Sequence, residues 1–242
     1  MTNAESNWGR IRRTDWLSVY LFELYWLAKE TDDLCEELFD SALPSVPGKD
    51  YLQVNPKLHQ SIYRILNNAA RIGGMIKERA RNTRNQSAGQ YALQQQRVEW
   101  LQQVLEGIEL SETLNSKVRH SLEHFDELID ETALKSSRGD FPEPTMFPLD
   151  WIIQRRDTLQ LLMTGKSAGG YVYPLRIYIA ELKTFVNCGR EIDIGKVAEE
   201  CRKIHERASQ LDPDLSKIAE GDGSRVALML QFSAEDYRKS EE

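Results

Sequence analysis

Residues 14–38, TDWLSVYLFELYWLAKETDDLCEEL, place leucines at 17, 21, 24, 27, 34 and 38, intervals that return each side chain to one face of an α-helix. Thr14 supplies an N-cap, and Asp15 puts a negative charge in the first turn, where the helix dipole favours it. Trp16, Tyr20, Phe22, Tyr25 and Trp26 spread aromatic surface around nearly the whole helix. It therefore reads either as a central core helix or as one with a face covered by another subunit.

Working outward, the loop ALPSVPGKDYLQV (residues 42–54) is punctuated by Pro44, Pro47 and Gly48. Asn55-Pro56 then starts a second helix, with Asn as cap and Pro at the first helical position. Leu58, Ile62, Ile65, Ala69, Ile72 and Ile76 alternate four and three apart, a seam for a partner helix. Gly73 and Gly74 are poor helix formers, so close packing against a neighbour is their expected purpose. A third helix is predicted over Ala88 to Gly107, with Val98, Leu101, Val104 and Ile108 on one face. A fourth is predicted over Ser111 to Leu134, with Leu114, Val118, Leu122, Phe125 and Ile129 inward. Short connections make such helices antiparallel neighbours.

The character changes at SSRGDFPEPTMFPLDW (residues 136–151), where Pro142, Pro144 and Pro148 interrupt any helix. A short helix is expected from Trp151 to Met163. YVYPLRIYIAELKTFVNCGREIDI (residues 171–194) is dense in β-branched and aromatic residues, with turns at Glu181–Lys183 and Asn187–Gly189, so it reads as a β-hairpin or small meander. Pro174 would put its strand at an edge. An amphipathic helix follows, with Val197, Cys201, Ile204, Ala208 and Leu211 inward. The predicted fold class is mainly α: an up-and-down four-helix bundle with an appended small β-hairpin plus helix region. The bundle occupies residues 1–135, a Pro-rich linker 136–150, the helix–hairpin–helix region packed on the bundle 151–212, and a tail 213–242.

Composition narrows the function classes. With 40% hydrophobic and 29% charged residues the chain can build an ordinary core, which excludes a disordered polymer. A net charge of −7 argues against coating nucleic acid by bulk charge, while leaving room for a local basic groove. Three widely spaced cysteines, Cys35, Cys188 and Cys201, form neither a disulfide framework nor a zinc-knuckle spacing and fit a reducing compartment. The opening MTNAESNWGRIRRTDW has no apolar core after its arginines, and no apolar run is long enough to span a bilayer. The expected location is cytoplasmic, with no membrane partner.

Chemistry concentrates in KVRHSLEHFDELIDE (residues 117–131), which holds two of the four histidines. As a plain surface helix it would carry its charges on the solvent face in i,i+4 pairs. As a metal site, His120-x-x-Glu123-His124 matches the inverted zinc-peptidase pattern H-x-x-E-H, with Glu199 or Glu200 available as a third ligand. His59, beside Lys57, and His205, in RKIHER, read as solvated.

Arg119-His120-Ser121-Leu122-Glu123-His124 is also R-x-x-x-x-H with a polar residue directly after the arginine, and in a helical bundle that resembles the HEPN superfamily (higher eukaryotes and prokaryotes nucleotide-binding). RHSLEHFDE looks like the form found in uncharacterised bacterial members, and the resemblance covers roughly residues 14 to 135. It implies an RNA-cutting or RNA-binding protein. Many members are metal-independent endoribonucleases of toxin–antitoxin or defence systems, working as homodimers that bring two motif copies into one cleft, some with a cognate inhibitor protein. On that implication His124 exchanges the proton of the ribose 2′-hydroxyl, Arg119 holds the scissile phosphate, and His120 orients one or the other, with no metal or other cofactor. Lys77, Arg79, Arg81 and Arg84, at the end of the second helix, would receive RNA, although cations there also suit the helix dipole. On a continuous helix Arg119 and His124 stand roughly 140° apart, so a twofold-related copy would set one arginine against the other histidine. Where family members tied to toxin–antitoxin pairs often have tyrosine two places past the histidine, this chain has Asp126. A non-catalytic protein-interaction or regulatory module of the same fold is the alternative, and a zinc hydrolase the third reading.

Overall fold

The structure is a computed structural model that describes residues 16–42, 52–78, 80, 84, 86–115, 123–157, 160 and 170–216. Among them helix dominates and a small mixed sheet accompanies it, so the chain is mainly α. In order these are α1 (Trp16–Ser41), β1 (Leu52–Val54), α2 (Pro56–Ile76), α3 (Ala88–Val104), α4 (Phe125–Ser137), β2 (Thr145–Met146), β3 (Trp151–Ile153), β4 (Tyr171–Val172), β5 (Arg176–Ile179), β6 (Thr184–Asn187), β7 (Arg190–Asp193) and α5 (Ile194–Leu211). The described residues fall into two compact units. One draws on the described residues within Met1–Trp26, Met75–Gly107 and Ile204–Glu242, the other on those within Leu27–Gly74 and Ile108–Lys203.

The second unit holds the sheet. Its strands run in the order β1-β3-β5-β6-β7. β5, β6 and β7 form an antiparallel meander with Tyr178 opposite Phe185 and Phe185 opposite Ile192, and its turns lie where the sequence places them, at 180–183 and 188–189. β3 joins β5 in parallel, and β1 closes the other edge antiparallel to β3. Ile153, Val172, Ile177, Ile179 and Val186 make one buried cluster, against which Trp151 packs. β2 and β4 pair separately, in parallel.

Helix packing in this unit follows the predicted seams. Asn55 Oδ1 accepts the Leu58 N–H at 3.2 Å and Pro56 opens α2, so the cap forms as the sequence implies. Leu58, Ile62, Ile65, Ala69 and Ile72 are buried along one stripe, together with Leu66. Arg64 and Asn68 of α2 both reach Glu30 of α1, at 2.8 and 3.1 Å. Arg202 of α5 holds Asp32 and Glu36 of α1. Gly73 packs as closely as its lack of a side chain suggests: a β-carbon there would lie 2.7 Å from the Thr113 carbonyl oxygen. In the first unit, Ser87 and Gln90 form a reciprocal capping box at the start of α3, and Val98, Leu101 and Val104 are buried. Tyr25 and His205 rings meet at 4.8 Å, so His205 is partly buried and not the solvated residue expected.

Four elements depart from the sequence reading. The helix expected over Ser111 to Leu134 is not continuous: Ser111–Leu114 form turns, and His124 leaves helical geometry before α4 begins at Phe125. Val118 and Leu122 lie outside the described residues. Within α4 the buried residues are Leu128 and Thr132, while Ile129 is exposed. The stretch from Trp151 opens as strand β3, because Ile152 and Ile153 enter the sheet, and helix is seen only at Arg156, Asp157 and Gln160. Leu52–Val54, read as loop, is the edge strand β1, and Pro174 lies between β4 and β5. A three-residue strand has too little sequence to show a period and exists only through its pairing. No helix among the described residues is long and apolar enough to cross a membrane.

Candidate functional site

His124 is the N-cap of α4, with φ −125° and ψ 31°, and its side chain makes no capping bond. Its carbonyl accepts the Leu128 N–H at 3.0 Å, the first bond of the helix. The imidazole is partly exposed, and Nδ1 lies 3.0 Å from Glu127 Oε1, one turn into α4. Around it Glu123, Asp126, Asp130 and Glu131 are exposed. Arg119 and His120 lie outside the described residues, as do Arg79 and Arg81. Lys77 and Arg84 are exposed and belong to the unit that does not contain His124. The interruption at His124 also means that the angular separation on a continuous helix does not describe how the motif is presented.

Immediately behind His124, Phe125 lies over Arg176, ring centroid to Cζ 4.7 Å. Arg176 opens β5 and is a lone cation in the otherwise apolar strand sequence RIYI. Its Nη1 donates to the Tyr63 hydroxyl at 2.7 Å, and its Nη2 donates to Asp150, 3.0 Å from Oδ1 and 3.1 Å from Oδ2. The guanidinium also lies 5.5 Å from the Tyr63 ring centroid. Asp150 adopts φ 60°, a conformation aspartate tolerates better than most residues, and its carbonyl accepts the Asn55 N–H at 2.9 Å.

His59 completes the cluster, and here the sequence reading is corrected. Its side chain is only 2% exposed, with Nδ1 3.7 Å from Asp150 Oδ1 and Nε2 3.2 Å from the Trp151 carbonyl oxygen. The residue lies near the start of α2, but on the same stripe as Leu58 and Ile62, against Phe185 of β6. Burial pushes its pKa below the ordinary histidine value, opposed by Asp150 and by the bond to Trp151. Burial likewise raises the Tyr63 phenol, with Arg176 pulling the other way.

The two glutamates nominated as metal ligands are otherwise engaged. Glu199 is exposed and pairs with Lys203 at 2.5 Å. Glu200 is buried, and its carboxylate accepts the Glu112 N–H at 3.0 Å, the Thr113 N–H at 2.7 Å and the Ser111 hydroxyl at 3.1 Å. All three cysteines are buried thiols, and burial pushes Cys201 up to about 12.

Sequence reasoning missed the group His59, Tyr63, Asp150 and Arg176 because its members are spread over more than a hundred residues. The single available signal was an arginine inside an apolar strand, since buried cations are kept only when paired. Compared with family models, curated proteins and solved structures, the chain finds no match in any of the three.

Proposed function

We propose that this is a HEPN-like helical protein that acts on RNA, with Arg119 and His124 as a metal-independent cleavage pair. The observation that carries the reading is the state of His124. It stands outside helical geometry at the open end of α4, 36% exposed, with a carboxylate 3.0 Å from Nδ1. Nδ1 is buried beside that carboxylate, which leaves Nε2 as the nitrogen for proton exchange with substrate. The imidazole would take the proton of a ribose 2′-hydroxyl while the 2′-oxygen attacks phosphorus. The leaving 5′-oxygen then takes a proton from solvent water, to which the imidazolium returns its own, and a cyclic phosphate remains. Arg119 would hold the phosphate through paired hydrogen bonds, and His120 would orient it. The first-turn N–H groups of α4 add partial positive charge on the same side. Lys77, Arg79, Arg81 and Arg84 would track the RNA backbone. In this reading the helical region is a four-helix bundle, and two copies form the cleft as a homodimer in a toxin or defence system with a cognate inhibitor.

A second reading has its own observation. Glu123, Asp126, Glu127, Asp130 and Glu131 are all exposed on or next to α4, a field that repels phosphate and suits a basic protein surface. It makes the chain a non-catalytic interaction module. Cleavage of mixed cellular RNA in EDTA, by wild type beside His124→Ala and Arg119→Ala, separates the two. On the first reading His124→Ala loses about 10²- to 10⁴-fold in rate, the usual worth of general acid–base catalysis. Silence from all three proteins, with fold and dimer intact, abandons the nuclease and leaves the interaction module.

A further inference from the structure

We propose that Arg176 is a positioning residue for His124, acting through the ring of Phe125. The inference rests on the reading of His124 as the acid–base group. An N-cap side chain points where the first turn of its helix is held. In α4 that turn offers little to hold it: Asp126 and Glu127 are exposed, and the first buried side chain is Leu128. Phe125 is the exception. It is half-buried, and its face lies 4.7 Å from the Arg176 guanidinium.

Arg176 is itself fixed. Its backbone pairs with Asn187 in the sheet. Its side chain is 16% exposed, neutralised by Asp150, and bonded to the Tyr63 hydroxyl at 2.7 Å. Asp150 is held in turn by its backbone bond to Asn55, with the His59 ring 3.7 Å away. A rigid cationic plane therefore reaches from the sheet to the residue next to His124. Such a plane holds an aromatic ring in both distance and tilt, which an aliphatic contact does not. Charge alone does not require this arrangement, because a lysine would neutralise Asp150 equally well. Only the planar fork can bond Asp150 and Tyr63 while stacking on Phe125.

The test reads His124 directly. Full-length ¹⁵N-labelled protein is followed through the two-bond histidine ring signals, His124 being assigned by its loss in His124→Gln. Wild type should show a single dominant tautomer. Arg176→Lys and Phe125→Leu should convert it to an averaged pair of nitrogen shifts, with the His59 signals unmoved in Phe125→Leu, and Phe125→Tyr should restore the wild-type pattern. On RNA, kcat should fall about tenfold to a hundredfold in Arg176→Lys and Phe125→Leu with KM unchanged, as for a misplaced reactive group. Wild-type His124 signals in a folded Phe125→Leu overturn the proposal. Should Arg176→Lys fail to fold, Phe125→Leu and Phe125→Tyr decide the matter alone. A wild-type protein that cuts no RNA counts against the nuclease reading, while the ring signals still decide whether Arg176 positions His124.

Discussion

Replacing Glu200 tests the strongest structural claim in the second unit. Its carboxylate is buried on α5 and accepts the backbone N–H groups of Glu112 and Thr113 and the Ser111 hydroxyl. Thr113 is also buried, so its N–H has no access to water as a substitute partner. Hydrogen bonds to a charged acceptor are each worth about 1.5–3 kcal/mol, and a buried donor left without a partner costs about 1–3 kcal/mol. These contributions overlap, since the unpaired donor is part of what the lost bond measures. Glu200→Ala should therefore cost about 3–4 kcal/mol, a large fraction of the ~5–15 kcal/mol that holds a domain together. Glu200→Gln keeps one acceptor oxygen but turns an NH₂ donor toward other donors, so it should fall between, at about 2 kcal/mol. Urea unfolding followed by circular dichroism supplies the numbers, with the dependence on urea checked for constancy between variants. A cost below about 1 kcal/mol for Glu200→Ala would mean the turn at 111–114 does not depend on this carboxylate, and would refute the reasoning.

Two further outcomes follow from buried positions. Because burial depresses the His59 pKa below 6.5, the folded state prefers the neutral ring; the stability this provides is present above 6.5 and is lost as pH falls below it. Urea unfolding between pH 7.5 and 5 should thus weaken more steeply for wild type than for His59→Gln, and parallel slopes would count against a neutral buried His59 facing Asp150 and Arg176. Gly73→Ala should destabilise by about 1–3 kcal/mol despite the helix propensity of alanine, because the new methyl meets the Thr113 carbonyl oxygen. Gly89→Ala, whose methyl meets nothing within 4 Å, is the control and should raise the melting temperature or leave it unchanged.

The parts of the fold that were legible in the sequence carry their signal locally. The stripe of α2 with its Asn55–Pro56 start, the buried face of α5 and the turns of the β5–β7 meander were all readable, because period and turn chemistry need only neighbours in sequence. The failures share the opposite property. β1 and β3 have three residues each and become strands only by pairing, with each other across about a hundred residues and, for β3, with β5 as well. The break at His124 was hidden because helical spacing in the sequence continues through it: Leu122, Phe125 and Ile129 keep the interval. The structure instead sends Phe125 to Arg176, buries Leu128 and exposes Ile129.

That redirection bears on how a short motif should be weighed. R-x-x-x-x-H is visible because its members are close in sequence, but closeness on a continuous helix would have fixed His124 by helix geometry alone. With His124 outside the helix, its direction is no longer set by the residues that spell the motif. Beside its neighbour Glu127, what grips the next residue then bears on it, and that grip comes from β5, from Asp150 just ahead of β3 and from α2. The motif and the cluster His59, Tyr63, Asp150 and Arg176 therefore belong to one physical problem, the placement of an imidazole at a helix end. A substitution such as Asp150→Asn, far from the motif in sequence, should consequently disturb His124 more than Asp130→Asn on α4 itself. That inequality is what a purely local account of the motif cannot produce.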